Sequence, residues 1–240
     1  MQVVISQSMY FPWVGFLEQL RLADVFVRYD DVQFSKGSFT NRVQIKTASG
    51  PRWLTVPLPG LHLGQCINTV QLDDRRDWRG QHRDQLAQAY RKAPYAAQML
   101  SLVDAVFSQP VTTLSQLAHA STLALADYFG LTDDLRQYDV TSLNIPGNSS
   151  QRVLDVVRKV DGTVYITGHG ARNYLDHAAF EQAGVAVQYM HYRRLPYPQL
   201  HGEFTPYVSA LDLVANCGRE GIRYIQSTTI AWKEFVNEPA

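Results

Sequence analysis

The sequence predicts an α/β protein with an open, mostly parallel sheet, a β-hairpin and a helical insertion, and three observations carry that prediction. Short β-branched runs, VVIS at 3–6, VFVRY at 25–29, TVYIT at 163–167 and VAVQYMH at 185–191, have the composition of buried parallel strands and alternate with helical patterns. Residues 39–47 and 52–57 alternate apolar and polar side chains across TASGP, which predicts a hairpin with Gly50 in its turn. From Asp77 to about Tyr128 the period becomes helical, punctuated at Ala93-Pro94 and Gln109-Pro110. The chain of 240 residues is long enough for one substantial core, so the expected organisation is a single domain over 1–240 with a helical insertion at about 77–130.

In chain order, the first strand leads into SQSMYFPWVG, where Pro12 and Gly15 break regular structure, and then into the helical FLEQLRLA and the second strand. The hairpin follows, then helices expected over 77–90, 95–107 and 112–128. TSLNIPGNSS at 141–150 reads as a loop whose serines cap the helix QRVLDVVRKV. The strand TVYIT then enters the glycine-containing turn GHGAR, the helix YLDHAAFEQAG and the strand VAVQYMH. YRRLPYPQLHGEFTPYVSALDL at 192–213 has three prolines and reads as an irregular lid or substrate-binding edge before the last helices, with Asp212 at helical spacing among apolar residues as a buried, partnered carboxylate.

Composition excludes several classes of function. Lys+Arg and Asp+Glu are both 22, and this zero net charge favours neither nucleic acid nor an anionic membrane as a partner. The apolar runs are too short to span a bilayer, and MQVVISQSMY lacks the basic start and apolar stretch of a signal peptide, which predicts a cytoplasmic protein. Cys66 and Cys217 are the only cysteines and the seven histidines lack ligand spacing, so no metal site is predicted. Walker, GxSxG, HExxH and complete dinucleotide-binding signatures are absent.

The densest polar chemistry is YDDVQFSKGSFTNRVQIK at 29–46. Asp30 and Asp31 follow a predicted strand, where ligands bind in open α/β sheets, and alternation sends one carboxylate toward the cleft and the other away. Gln33, Lys36, Asn41, Arg42 and Lys46 supply donors and cations suited to phosphate or carboxylate. In the loop QSMYFPWVG, Gln7, Tyr10 and Trp13 offer hydrogen bonds and a flat apolar face. Gly15 there admits a ligand close to the backbone at a helix N-terminus. In ITGHGARNYLD, Gly168 opens an anion-cradling turn, Arg172 is a clamp and His169 an acid or base.

QSMYFPWVGFLEQLRLADVFVRYDDVQFSKGSFTNRVQIKT, WLTVPL, YITGHGARNYLD and YPQLHGEFTPYVSALDLV resemble the WbqC-like family, in the right order and over nearly the whole chain. The family's pattern falls on Gln7, Tyr10, Pro12, Gly15, Asp30, Asp31, Gln33, Phe34, Lys36, Asn41, Arg42 and Lys46, and continues through Trp53, Gly168, Arg172, Tyr174, Gln199 and Phe204. Many members carry Ser-Gly-Pro-Gly-Gly-Arg at the turn after the strand; here Thr167, His169 and Ala171 depart from it, leaving Arg172 in place. The resemblance implies work on bacterial surface polysaccharides, modified sugars or a related small-molecule pathway, through acyl or aminoacyl transfer to an amino sugar. A more distant likeness concerns fold alone. The strand, loop with Gly15, helix and second strand are similar to the opening of HIGH-motif nucleotidyltransferases and pantothenate synthetase. Trp13-Val14-Gly15-Phe16 stands here in place of the two histidines, so ATP use would rest on Lys36, Arg42, Lys46 and Arg172.

The leading expectation is therefore a transferase joining an acyl or aminoacyl group to an amine of a small molecule or nucleotide-linked sugar, with ATP or an activated acyl donor as cosubstrate. Asp30 or Asp31 deprotonates or orients the amine, Lys36 and His169 complete the catalytic set, and Arg42, Lys46 and Arg172 hold an anionic group in the same crevice. Gln33 and Asn41 position the carbonyl or sugar hydroxyls, and Gln7, Tyr10, Trp13, Gly15, Gly168, Tyr174 and Gln199 complete the binding surface. No serine or cysteine stands in an activating context, which favours direct transfer. An ATP-dependent ligase or nucleotidyltransferase, and a non-catalytic binding module, remain the alternatives.

Overall fold

The computed structural model describes residues 1–237. Its centre is a six-stranded sheet in the order β5-β2-β1-β6-β7-β8, formed by β1 (Gln2–Ser6), β2 (Val25–Arg28), β5 (Arg136–Asp139), β6 (Val164–Thr167), β7 (Ala186–His191) and β8 (Thr228–Ala231). Every neighbouring pair is parallel except β7 with β8. The hairpin is β3 (Arg42–Thr47) and β4 (Gly50–Thr55); Thr47 pairs with Gly50, so Ala48 and Ser49 form the turn and Gly50, at φ 103°, opens the second strand.

Register explains how both sheet faces become buried. Val25, Val3, Tyr165 and Val187 form one row across the sheet, and Phe26, Val4 and Ile166 form the adjacent row. Successive residues of a strand face opposite sides, and the two rows enter two separate apolar cores. The first face is covered by α1 (Val14–Arg21), by the insertion helices α2 (Trp78–Tyr90), α3 (Ala96–Phe107) and α4 (Leu114–Tyr128), by the hairpin and by α7 (Ala210–Cys217). The second is covered by α5 (Ser149–Lys159), α6 (His177–Gln182) and α8 (Trp232–Asn237). Burial on both faces is why the central strands read as continuous apolar runs.

Local signals start the insertion helices. The Asp77 carboxylate accepts from Gly80 N–H at the start of α2, and Thr113 and Gln116 form a capping box on α4. The serines before α5 act differently from the sequence expectation: Asn148 occupies the N-cap without a side-chain bond, and Ser150 Oγ instead accepts from Asp176 N–H at 2.8 Å. Asp212 is fully buried and accepts from Tyr90 Oη at 2.9 Å and Asn216 Nδ2 at 3.2 Å. Among the described residues no helix is long and apolar enough to cross a membrane.

Two imidazoles in the insertion are held neutral by burial, His82 against the Tyr10 hydroxyl and His119 with its Nδ1 lacking a partner; each pKa is lowered to about 4. An unfolded histidine titrates near 6.5, so between pH 6.5 and 4 the unfolded chain binds protons that the folded chain refuses. Stability is therefore full above that window and falls as the solution is acidified through it, by up to about 3 kcal/mol per imidazole. Urea melts at pH 7 and pH 5 measure this loss, and His119→Leu is expected to reduce it while leaving stability at pH 7 intact. An unchanged pH slope in that variant removes His119 as its source.

Candidate functional site

Strand order reverses at β1, which has β2 on one side and β6 on the other. In open α/β sheets ligands bind in the crevice outside the carboxyl ends of the strands at such a point. A cleft of about 830 Å³ opens there. Ser6 and Gln7 enter it from β1, Tyr29, Asp31 and Gln33 from β2, and Thr167, Gly168 and His169 from β6, while Gly147, Asn148, Ser149 and Arg152 bring the start of α5 to its wall.

The two adjacent aspartates have different surroundings. Asp30 is 1 % exposed and turned into the protein, where it accepts from Ser8 N–H at 2.8 Å, the Ser8 hydroxyl and the Ser115 hydroxyl of α4. Asp31 lines the cleft. The chain beyond it is pinned by Phe34 N–H to Gln65 O, Ile67 N–H to Val32 O and Asn68 N–H to Asp30 O, which holds Gln33 at the cleft rim.

Arg152 meets Asp31 through two parallel hydrogen bonds, donates to Ile145 O at 2.9 Å and lies 4.9 Å from the Tyr29 ring centre. Its side chain is only 9 % exposed. Sequence reasoning missed this residue, although a signal existed. A cation in the first turn of a helix opposes the macrodipole, so it needs an anchor elsewhere. The first-turn N–H groups of α5 have no intrahelical acceptor, Asn148 does not cap them, and no acidic side chain sits in that turn. This end of the cleft is suited to an anion.

At the opposite wall His169 Nε2 lies 2.7 Å from Met190 O. A carbonyl oxygen only accepts, so in the neutral ring Nε2 carries the hydrogen and Nδ1 keeps the lone pair. Tyr192 and Phe235 pack against the imidazole. Burial raises the hydroxyl pKa values of Tyr29 and Tyr174 and pushes that of Tyr192 up to about 12, so all three are protonated donors at neutral pH.

The structure gathers Gln7, Trp13, Asp31, Gln33, Gly168, His169 and Tyr174 around this cleft, and adds Tyr29, Arg152, Tyr165 and Tyr192, which sequence reasoning did not select. The other candidates lie elsewhere, and the expected meeting of Arg42 and Arg172 with the acidic pair does not occur. Arg42 folds onto Gly37 O and the Trp53 ring, and Arg172 donates to Val236 O beside Phe235. Lys46 is 4 % exposed and its ammonium is taken by Gln199 Oε1, Gly202 O and Glu203 O, which also accounts for Gln199. Asn41 donates to Val56 O and Tyr10 to the buried His82, while Lys36 is exposed on the loop before the hairpin. Gly15 is required for packing: a side chain there would run into the Trp13 indole, which covers it. Phe11 has φ 39°, rare for a bulky residue, and is held there by hydrogen bonds from its N–H to Ser121 and from Ser209 to its carbonyl. That pair of bonds fixes the loop carrying Gln7 and Trp13.

A model of the WbqC-like protein family matches residues 7–224. The chain belongs to the WbqC-like family. It is also 30% identical over 227 residues to the uncharacterized protein Rv1507c of Mycobacterium tuberculosis, covering 94% of this chain and 97% of that one. No solved structure matches. The matched span includes the cleft-lining residues of this WbqC-like protein from Gln7 to Tyr192 and leaves out Ile5 and Ser6.

The Asp31–Arg152 pair makes a quantitative expectation. Asp31→Ala strands a nearly buried guanidinium and is expected to cost about 3 kcal/mol. The double variant Asp31→Ala/Arg152→Met, which removes both charges, is expected to be more stable than Asp31→Ala alone. A double-mutant cycle by urea denaturation measures the coupling, and additive losses would contradict it.

Proposed function

We propose that this protein is an enzyme and that the cleft at the β1/β6 switch point joins an acyl or aminoacyl group to the amine of a small anionic molecule, a nucleotide-linked amino sugar in surface polysaccharide or related biosynthesis. The observation that carries the reading is the presence in one cleft of an uncapped helix N-terminus, a paired Asp31 and Arg152, and a histidine with its lone pair on Nδ1. The phosphate or carboxylate of the substrate sits at the N-terminus of α5. Asp31 and Gln33 orient the amine, and His169 takes its proton, because an ammonium is not nucleophilic until it loses one. The amine nitrogen then bonds to the acyl carbon, the bond from that carbon to the donor's leaving group breaks, and the leaving group departs with the electron pair and takes up the second proton that the nitrogen sheds. The tyrosine hydroxyls donate to the carbonyl oxygen as negative charge develops on it.

The HIGH-type reading finds less support. Trp13 and Phe16 stand where the two histidines would be, Phe16 is buried in the core, and the Trp13 indole covers Gly15 at the place where a nucleotide phosphate would approach. Mass spectrometry of mixtures of acyl and aminoacyl donors with amino sugars and their nucleotide conjugates tests the proposal. A new amide product is expected, with turnover reduced about 100-fold or more in His169→Gln. Arg42→Ala and Arg172→Ala, whose side chains bond to Gly37 O and Val236 O and do not line the cleft, are expected to retain activity. Release of pyrophosphate or AMP identifies a ligase or nucleotidyltransferase instead, and tight binding without product identifies a binding module.

A further inference from the structure

Outside the cleft, a second concavity of about 400 Å³ lies where the end of α1, the residue following Tyr192 and the segment entering β8 come together. Three arginines line it, Arg21, Arg193 and Arg223, with Gln226, Ser227 and Thr228 between them. Among the described residues none of these three guanidinium groups forms an ion pair with a carboxylate. Arg21 donates to Ser227 O at 2.8 Å and Arg223 leans on the Tyr224 ring and hydroxyl, contacts that orient the groups without neutralising them.

The support beneath the arginines is specific. Glu18 of α1 is 1 % exposed and accepts from the Ser227 hydroxyl, while its Oε1 is buried without a hydrogen-bond partner. Ser227 Oγ also accepts from Arg193 N–H at 3.1 Å. The buried Glu18 carboxylate thus fixes Ser227, and Ser227 sets the backbone of Arg193 and the tip of Arg21 around one hollow, the carboxylate's charge offsetting part of theirs. Like charges around a concave surface reinforce one another's potential and draw in anions, and guanidinium groups bind phosphate through paired hydrogen bonds.

We propose that this hollow is a second anion-binding site, separate from the cleft, which takes a phosphate-bearing small molecule. Arg193 follows directly on Tyr192, a wall of the cleft, so an occupant of the hollow sits next in sequence to the proposed reaction site.

Inorganic pyrophosphate titrated into the full chain at low ionic strength, followed by amide NMR, tests the proposal. Saturable shifts are expected at Gln226, Ser227 and Thr228. Affinity is expected to fall about tenfold in Arg193→Gln and further in Arg193→Gln/Arg223→Gln. Arg152→Met, which alters the cleft, is expected to leave these shifts and their midpoint unchanged, so this site and the proposed reaction are tested separately. Arg193 and Arg223 are exposed, and an unchanged spectrum elsewhere verifies that the variants fold; Arg223→Glu provides a second, stronger perturbation. Absence of shifts at 226–228 in the wild type, or the same midpoint in the double variant, overturns the proposal.

Discussion

Asp30 is 1 % exposed and balances its charge with three donors, two from Ser8 and one from Ser115, while Arg28 Nε stands 3.9 Å away. These bonds tie the loop after β1, the end of β2 and α4 of the insertion to a single carboxylate. A buried carboxylate stripped of its donors is strongly disfavoured, so the arrangement is all or nothing. It also decides the orientation of the next residue: with Asp30 turned inward, Asp31 faces the cleft, where Arg152 waits on α5. The geometry of the site therefore begins with a side chain that does not line it.

A similar economy governs the basic side chains. Lys46 and Arg42 join the hairpin to loops, Arg172 closes onto the end of α8, and Arg152 crosses the cleft to Asp31. Each finds acceptors within the chain. What remains for an incoming anion in the cleft is backbone: the first turn of α5, whose N–H groups have no intrahelical acceptor. Fixed backbone dipoles need no side-chain ordering when a ligand binds, so recognition at this end of the cleft is largely preorganised.

The strands buried on both faces were legible because burial writes a continuous apolar run, as at Val3–Ile5 and Val25–Val27. The insertion helices were legible from their period and from the proline breaks between them. β5 and β8 were not. They lie at the two ends of the sheet, and RQYD and TTIA are exposed or half-buried along their lengths, so neither carries the pattern that marks a strand. In the site, spacing located the segments but not the partners. The carboxylate of Asp31 and the guanidinium of Arg152 stand 121 positions apart, and no local pattern joins them. Conversely, Arg42 and Lys46 have the composition of a binding site, and tertiary contacts hold them elsewhere.

The central place of β1 has a consequence for synthesis on the ribosome. One side of β1 pairs with β2 as soon as residue 28 has emerged, but the other waits for residues 164–166. At ordinary elongation rates that interval is on the order of ten seconds. Throughout it an apolar strand presents an open hydrogen-bonding edge, the feature that most invites pairing with another nascent chain. The insertion helices, made in the meantime, can cover one face of the β1–β2 pair but leave that edge bare, so crowded translation is the condition under which this fold is most exposed to misassembly.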